Sequence, residues 1–126
     1  MAKKILVVDD DKDLVEIIKF ELEGEKFLVD TAFNGLGGLN KLKEPPYPDL
    51  IILDVNMPVM DGVDFFQRVK NNPETQKIPI LVLTSSGDLK DHFKKLDIGD
   101  FIAKPFSMGV FHYKVKFLLS GKKMQL

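Results

Sequence analysis

Five residues at four separated places in the chain supply what phosphoryl transfer with a divalent cation requires. Asp9 and Asp10 follow the apolar run at 5–8, and Asp54 follows the run at 50–53. Thr84, with Ser85 beside it, follows the run at 80–83, and Lys104 stands before Pro105 just after 101–103. Mg²⁺ is a hard cation that takes oxygen ligands and keeps several waters, which suits three carboxylates. Moving a phosphoryl group is mostly positioning and neutralisation of charge on its oxygens, which suits a hydroxyl and an ammonium. Each residue also has a plainer explanation. Asp9 and Asp10, with Asp11 and Asp13 after them, could be a solvated loop and helix cap. Thr84 could be an ordinary β-branched strand residue, and Lys104 could be surface charge. The plainer reading is kept for Asp11 and Asp13. The other five carry chemistry only if the fold brings them together.

Short apolar runs alternate with longer amphipathic stretches, the pattern of an α/β fold with a parallel sheet. Residues 4–8 read as a buried strand. Leu14, Ile17, Ile18, Glu21 and Leu22 recur at helical spacing, closed by Gly24. A weaker strand is predicted at 27–31. Leu36, Leu39 and Leu42 mark a helix ending before Pro45 and Pro46. Gly37 and Gly38 inside it cost about 1 kcal/mol each relative to alanine, so this helix is predicted to be short. Further strands are predicted at 50–53, 78–83 and 101–103. A helix from about 62 to 71 should bury Val63, Phe66 and Val69 with Asp61 as N-cap. Helices at about 89–96 and 107–119 complete five strand–helix units in one domain over 1–126, whose last residues, from about 121, read as a frayed tail or the start of a linker. In open α/β sheets, ligands bind outside the carboxyl ends of the strands, and all five candidate residues fall there.

Composition narrows the function classes. A chain of 126 residues, 44% hydrophobic and 29% charged, can bury one core without disulfides or a structural metal. The absence of cysteine excludes thiol catalysis, thiolate metal sites and a disulfide framework, and agrees with the cytoplasmic location expected for it. No signal-peptide pattern is read at the start, and the apolar runs are too short to cross a membrane. Residues 1–85 carry 10 Lys/Arg against 15 Asp/Glu, and residues 86–126 carry 8 against 4. The lysines of the basic part are not interleaved with exposed aromatics or arginines, so no direct nucleic-acid binding is expected. Most of the 10 phenylalanines are assigned to the core. His92 and His112 lack partners at metal-binding spacing and read as surface or satisfied helix residues.

The segments Ile5-Leu-Val-Val-Asp-Asp-Asp11, Asp49-Leu-Ile-Ile-Leu-Asp-Val-Asn-Met-Pro-Val-Met-Asp-Gly62, Leu83-Thr-Ser85 and Lys104-Pro-Phe106 closely resemble the response-regulator receiver family. Any one of the four is weak, but the set occurs in the right order and covers nearly the whole chain. The resemblance implies a flavodoxin-like three-layer fold with a five-stranded parallel sheet in the order 2-1-3-4-5. It implies Asp54 as phosphoacceptor, with Mg²⁺ as cofactor and Mn²⁺ able to substitute. Asp10 would ligate the ion directly, Asp9 would hold a metal-bound water, and the backbone carbonyl of Asn56 would add a further ligand. Thr84 and Lys104 would bind phosphoryl oxygens, with the Lys104–Pro105 peptide cis. Thr84 and Phe101 would form the switch. The implied donor is a phosphohistidine on a histidine kinase or histidine phosphotransfer protein, and the implied recipient of the signal is an output protein. The domain would catalyse its own phosphorylation and dephosphorylation only, as a switch rather than an enzyme.

Three features depart from the family pattern. Thr84 and Lys104 are 20 positions apart, about two fewer than in the usual receiver, so the fourth helix or its loops should be shortened or repositioned. The glycine pair at 37–38 weakens the second helix, and Phe101 replaces a frequent tyrosine, keeping the ring without its hydroxyl. Two other functions fit parts of the pattern. A small Mg²⁺-dependent phosphohydrolase would use Asp54 as nucleophile, but such enzymes usually carry a second acid where Asn56 stands. A binding-only pseudo-receiver would need neither the complete acidic set nor Thr84 and Lys104. A flavin-binding relative is weaker still, since the first strand leads into carboxylates rather than a phosphate-cradling loop.

Overall fold

The computed structural model describes residues 2–55, 62–85 and 99–121. Five strands, β1 (Lys4–Val8), β2 (Leu28–Ala32), β3 (Leu50–Asp54), β4 (Ile80–Thr84) and β5 (Asp100–Ala103), form one sheet. All pairings are parallel and the order is β2-β1-β3-β4-β5, the expected one. Four helices are described: α1 (Lys12–Gly24), α2 (Gly35–Lys41), α3 (Gly62–Lys70) and α4 (Met108–Leu119). The helix predicted at 89–96 and the Asp61 cap lie outside the described residues, as does most of the tail expected from 121 onward.

Side chains alternate across a strand, so each central strand feeds two separate cores. Leu6, Val8, Ile51, Leu53, Ile80 and Val82 point to one face and pack with Leu39 of α2 and Phe65, Phe66 and Val69 of α3. Ile5, Val7, Leu50, Ile52, Leu81 and Leu83 point to the other and meet Val15, Ile18 and Leu22 of α1 and Phe111, Val115 and Leu118 of α4. Covering both faces explains why these strands are near-continuous apolar runs. At one edge, β2 is only partly buried; its Asp30 pairs with Lys4 of β1 at 3.1 Å, and Leu28 stays exposed.

Local chemistry sets the element ends. Asp11 caps α1 by accepting from the Leu14 amide at 3.1 Å, the structural role assigned to it. Asn34 caps α2 at Gly37, and Ser107 caps α4 at Val110. The left-handed residue after α1 is Lys26, at φ 73°, rather than Gly24. β4 starts at Ile80, two residues later than predicted: Pro79 has no amide to donate, although its carbonyl accepts from Ile51. In α3 the buried stripe is Gly62, Phe65, Phe66 and Val69, with Val63 only half-buried. Phe20 and Phe33 lie exposed, outside the cores to which most of the phenylalanines were assigned.

The short α2 has a packing reason that propensity did not reveal. A Cβ on Gly38 would lie 2.7 Å from the Phe65 ring and 3.1 Å from Val8, so glycine is what lets α2 approach α3 and β1.

Candidate functional site

The carboxyl ends of β1, β3, β4 and β5 bring the candidate residues to one edge. Asp9, one residue past β1, is fully buried and is held by its amide's bond to the Ala32 carbonyl at 3.1 Å. Asp54 is the last residue of β3, and Thr84 the last of β4; both are buried. Lys104 follows β5, where its amide donates to the Thr84 carbonyl at 2.8 Å and continues the ladder. The next peptide bond, Lys104–Pro105, is cis. The Pro45–Pro46 bond is cis as well and was not anticipated.

Asp9, Asp10 and Asp54 each present a carboxylate oxygen, and the three oxygens lie within 4.8 Å of one another. Asp9 uses both of its oxygens within the protein. Oδ1 accepts from the Asp11 amide at 2.9 Å, and Oδ2 accepts from Lys104 Nζ at 3.0 Å. The same ammonium stands 3.6 Å from Asp54 Oδ2. Burial pulls the Lys104 pKa down, but its hydrogen bond to Asp9 and the charges of Asp9 and Asp54 outweigh that, leaving it above the ordinary 10.5.

A hard divalent cation fits this arrangement. All the donors are oxygens, two carboxylates are buried and fixed, and Asp10 is exposed toward the solvent that would supply retained waters. The position of Asn56 falls outside the described residues. Phe101 lies in β5, half-buried against the core shared by α2 and α3, and aligned with Val82.

Two contributors were not legible in the sequence. Gly62 stands where the helix predicted from about 62 begins, yet a Cβ there would lie 2.3 Å from the Val55 Cα and 2.7 Å from the Asp54 carbonyl oxygen. Its amide also donates to the Val55 carbonyl at 3.1 Å, so α3 starts against the backbone that ends β3. The second is Lys114, whose Nζ lies 2.7 Å from Oδ2 of the buried Asp100. A polar residue opening an apolar strand was the only available signal. His112 sits between helices, with Nε2 3.1 Å from Glu21 Oε2 and a buried Nδ1 without a hydrogen-bond partner. It is half-buried, and only one of its ring nitrogens is satisfied.

A parallel sheet in this order makes a flavodoxin-like fold, and its carboxyl edge gathers three carboxylates, a threonine and a lysine. The chain belongs to the response regulator receiver family, whose model, described as the response regulator receiver domain, matches residues 5–116. It is 35% identical to the phosphate regulon transcriptional regulatory protein PhoB of Rhizobium meliloti, across 100% of this chain and 56% of that protein. It is 37% identical to the alkaline phosphatase synthesis transcriptional regulatory protein PhoP of Bacillus subtilis, across 94% of this chain and 49% of that protein. The chain thus spans about half the length of these curated relatives. Among solved structures, the signal receiver domain of a signal transduction histidine kinase from Syntrophus aciditrophicus is similar, with a TM-score of 0.86 and 36% identity over 99% of this chain and 96% of that one. The response regulator TrrA of Thermotoga maritima, solved in complex with Mg²⁺-BeF, has a TM-score of 0.82 and 32% identity over 92% of this chain and 98% of that one. No described helix is long and apolar enough to cross a membrane.

Proposed function

We propose that this receiver takes a phosphoryl group from a phosphohistidine, on a histidine kinase or histidine phosphotransfer protein, onto Asp54 in a Mg²⁺-dependent reaction. An Asp54 carboxylate oxygen bonds to phosphorus as the bond from phosphorus to the donor imidazole nitrogen breaks, and the electron pair returns to the imidazole. The observation that carries this reading is the convergence of the Asp9, Asp10 and Asp54 oxygens within 4.8 Å, with Lys104 Nζ at 3.0 Å from Asp9 and 3.6 Å from Asp54.

Each side chain then has one task. Asp10, exposed and close to the other two, would hold Mg²⁺ with Asp54 and the Asn56 carbonyl; Asp9, both of whose oxygens already bind protein donors, would act through a metal-bound water. Bound Mg²⁺ supplies neutralisation of the phosphoryl oxygens. Lys104 pairs with a phosphoryl oxygen, and the Thr84 hydroxyl donates to another. That rearrangement draws the end of β4 inward and biases the Phe101 ring, changing the face offered to an output protein. The domain catalyses its own phosphorylation and dephosphorylation and turns over no other substrate.

Acetyl phosphate with Mg²⁺, followed by intact-mass measurement, tests the acceptor. One phosphoryl group per chain is expected, with loss of labelling in Asp54→Asn. Full labelling of that variant would place the acceptor elsewhere, and rapid turnover of a small phosphate ester would favour a phosphohydrolase.

A further inference from the structure

Lys12 stands where an ion pair with a carboxylate would be expected. It opens α1 two residues after Asp10, and Asp11, Asp13 and Glu16 also lie within four positions of it in the chain. Among the described residues its ammonium pairs with none of them, and Nζ instead stands over the Phe33 ring, 5.6 Å from the centroid. A cation is drawn to an aromatic face within about 6 Å. The helix itself offers no hold, because the amino end of α1 is the positive pole of its dipole. Asp10 in turn is exposed and forms no hydrogen bond or ion pair among the described residues, although its carboxylate belongs to the cluster with Asp9 and Asp54.

The ring is placed by the same backbone that holds the site. Phe33 follows Ala32, whose carbonyl accepts from the Asp9 amide at 3.1 Å, and precedes Asn34, which caps α2 by accepting from the Gly37 amide at 2.8 Å. Both chain neighbours are anchored, and the side chain stays 39% exposed beside the start of α1 instead of entering either core.

We infer that Phe33 is a positioning residue that holds the Lys12 ammonium away from Asp10 and so sets the affinity of the carboxylate cluster for its divalent cation. This rests on the proposed role of Asp10 as a ligand of Mg²⁺. An ammonium released from the ring can pair with Asp10, which takes an oxygen donor from the cation and sets a like charge beside it. At an exposed site the preference of an ammonium for a ring shifts its population about two- to fivefold, and the effect on binding is of that size.

The test titrates the whole chain with Mg²⁺ at low salt and follows the amide NMR signals of Asp9, Asp10 and Asp54. Phe33→Leu is expected to raise the Mg²⁺ Kd about threefold. Phe33→Tyr, which keeps an aromatic face, is expected to leave it unchanged. In a Lys12→Met background, Phe33→Leu is expected to have no effect on the Kd, because no ammonium is left to release. Added salt at about 1 M, which cuts the screening length to about 3 Å, should shrink the threefold difference. A Phe33→Leu protein that binds Mg²⁺ as tightly as the unsubstituted one would overturn the inference. So would an equal loss in the Lys12→Met background, since the ring would then act by packing and not through the ammonium. Absence of any Mg²⁺-dependent shift at Asp9, Asp10 or Asp54 in the unsubstituted protein would instead overturn the metal reading of the cluster, and the inference with it.

Discussion

The two ends of the sheet carry the same pairing chemistry in different surroundings. At the amino edge, Lys4 bonds Asp30 at 3.1 Å and the Pro46 carbonyl at 2.9 Å, while its amide donates to Asp49. At the carboxyl edge, Lys104 bonds Asp9 at 3.0 Å and stands 3.6 Å from Asp54. Asp30 is 37% exposed and Asp49 is exposed, whereas the Asp9 side chain is wholly buried and that of Asp54 6% exposed. Water screens the first set and leaves little to do beyond tying strands together. The second set concentrates negative charge where water is scarce, so a metal ion or phosphoryl group entering there changes the electrostatics sharply. What separates the two sets is the burial of the carboxylates, not the presence of a lysine beside two aspartates.

Substitution at matched positions sharpens the contrast. The largest loss is expected at Gly62, where a Cβ meets backbone at the end of β3. Gly62→Ala should cost about 3 kcal/mol by forcing α3 from β3, while Gly24→Ala, with nothing within 4 Å, should be neutral or stabilising. Urea melts of both variants measure the difference; equal midpoints would dissolve it.

Lys104→Met should cost about 2 kcal/mol, as expected when a charged hydrogen bond is lost beside buried carboxylates, whereas Lys4→Met should cost about 0–1 kcal/mol like other exposed pairs. The pH dependence separates them further. The folded Lys104 pKa lies above the unfolded 10.5, so its contribution is fully present below that pH and is lost as pH rises through the folded value. The stability gap between Lys104→Met and the unsubstituted protein should thus close in alkaline urea melts begun near pH 10.5. A gap that widens there would contradict the pairing.

A smaller effect is expected from the metal. At ten times its Kd, Mg²⁺ should stabilise the protein by about 1.4 kcal/mol through mass action. Asp10→Ala should remove most of that rise in thermal midpoint, and Asp13→Ala should leave it. Equal losses would remove Asp10 from the ion's ligands.

Much of this architecture was readable because parallel strands buried on both faces are close to continuous apolar runs. The residues of β1 match their predicted bounds, and Asp9, Asp54, Thr84 and Lys104 follow from where such runs stop. What escaped prediction depends on distances between elements remote in sequence. Gly38 looked like a weakness until the Phe65 ring stood where its Cβ would be. Gly62 passed for an ordinary helix start because nothing in the chain tells how near Val55 lies. Lys114 itself carried no signal; only its partner Asp100, a polar residue opening an apolar strand 14 residues earlier, hinted at the pair. Phe20, 77% exposed, shows the converse: residue type suggested burial, and the helix face decided otherwise.

The half-open edge at β2 has a consequence for colloidal behaviour. A strand at the end of a sheet is a template on which another chain can lengthen the ladder and seed aggregates. Here Asp30 lies in the middle of that strand, tied to Lys4 on its neighbour. A second chain adding along β2 would have to strip water from this pair, and in register it would set one carboxylate beside another. The Lys4–Asp30 pair thus puts charge in the middle of the edge strand, one of the devices by which sheet edges resist edge-to-edge pairing.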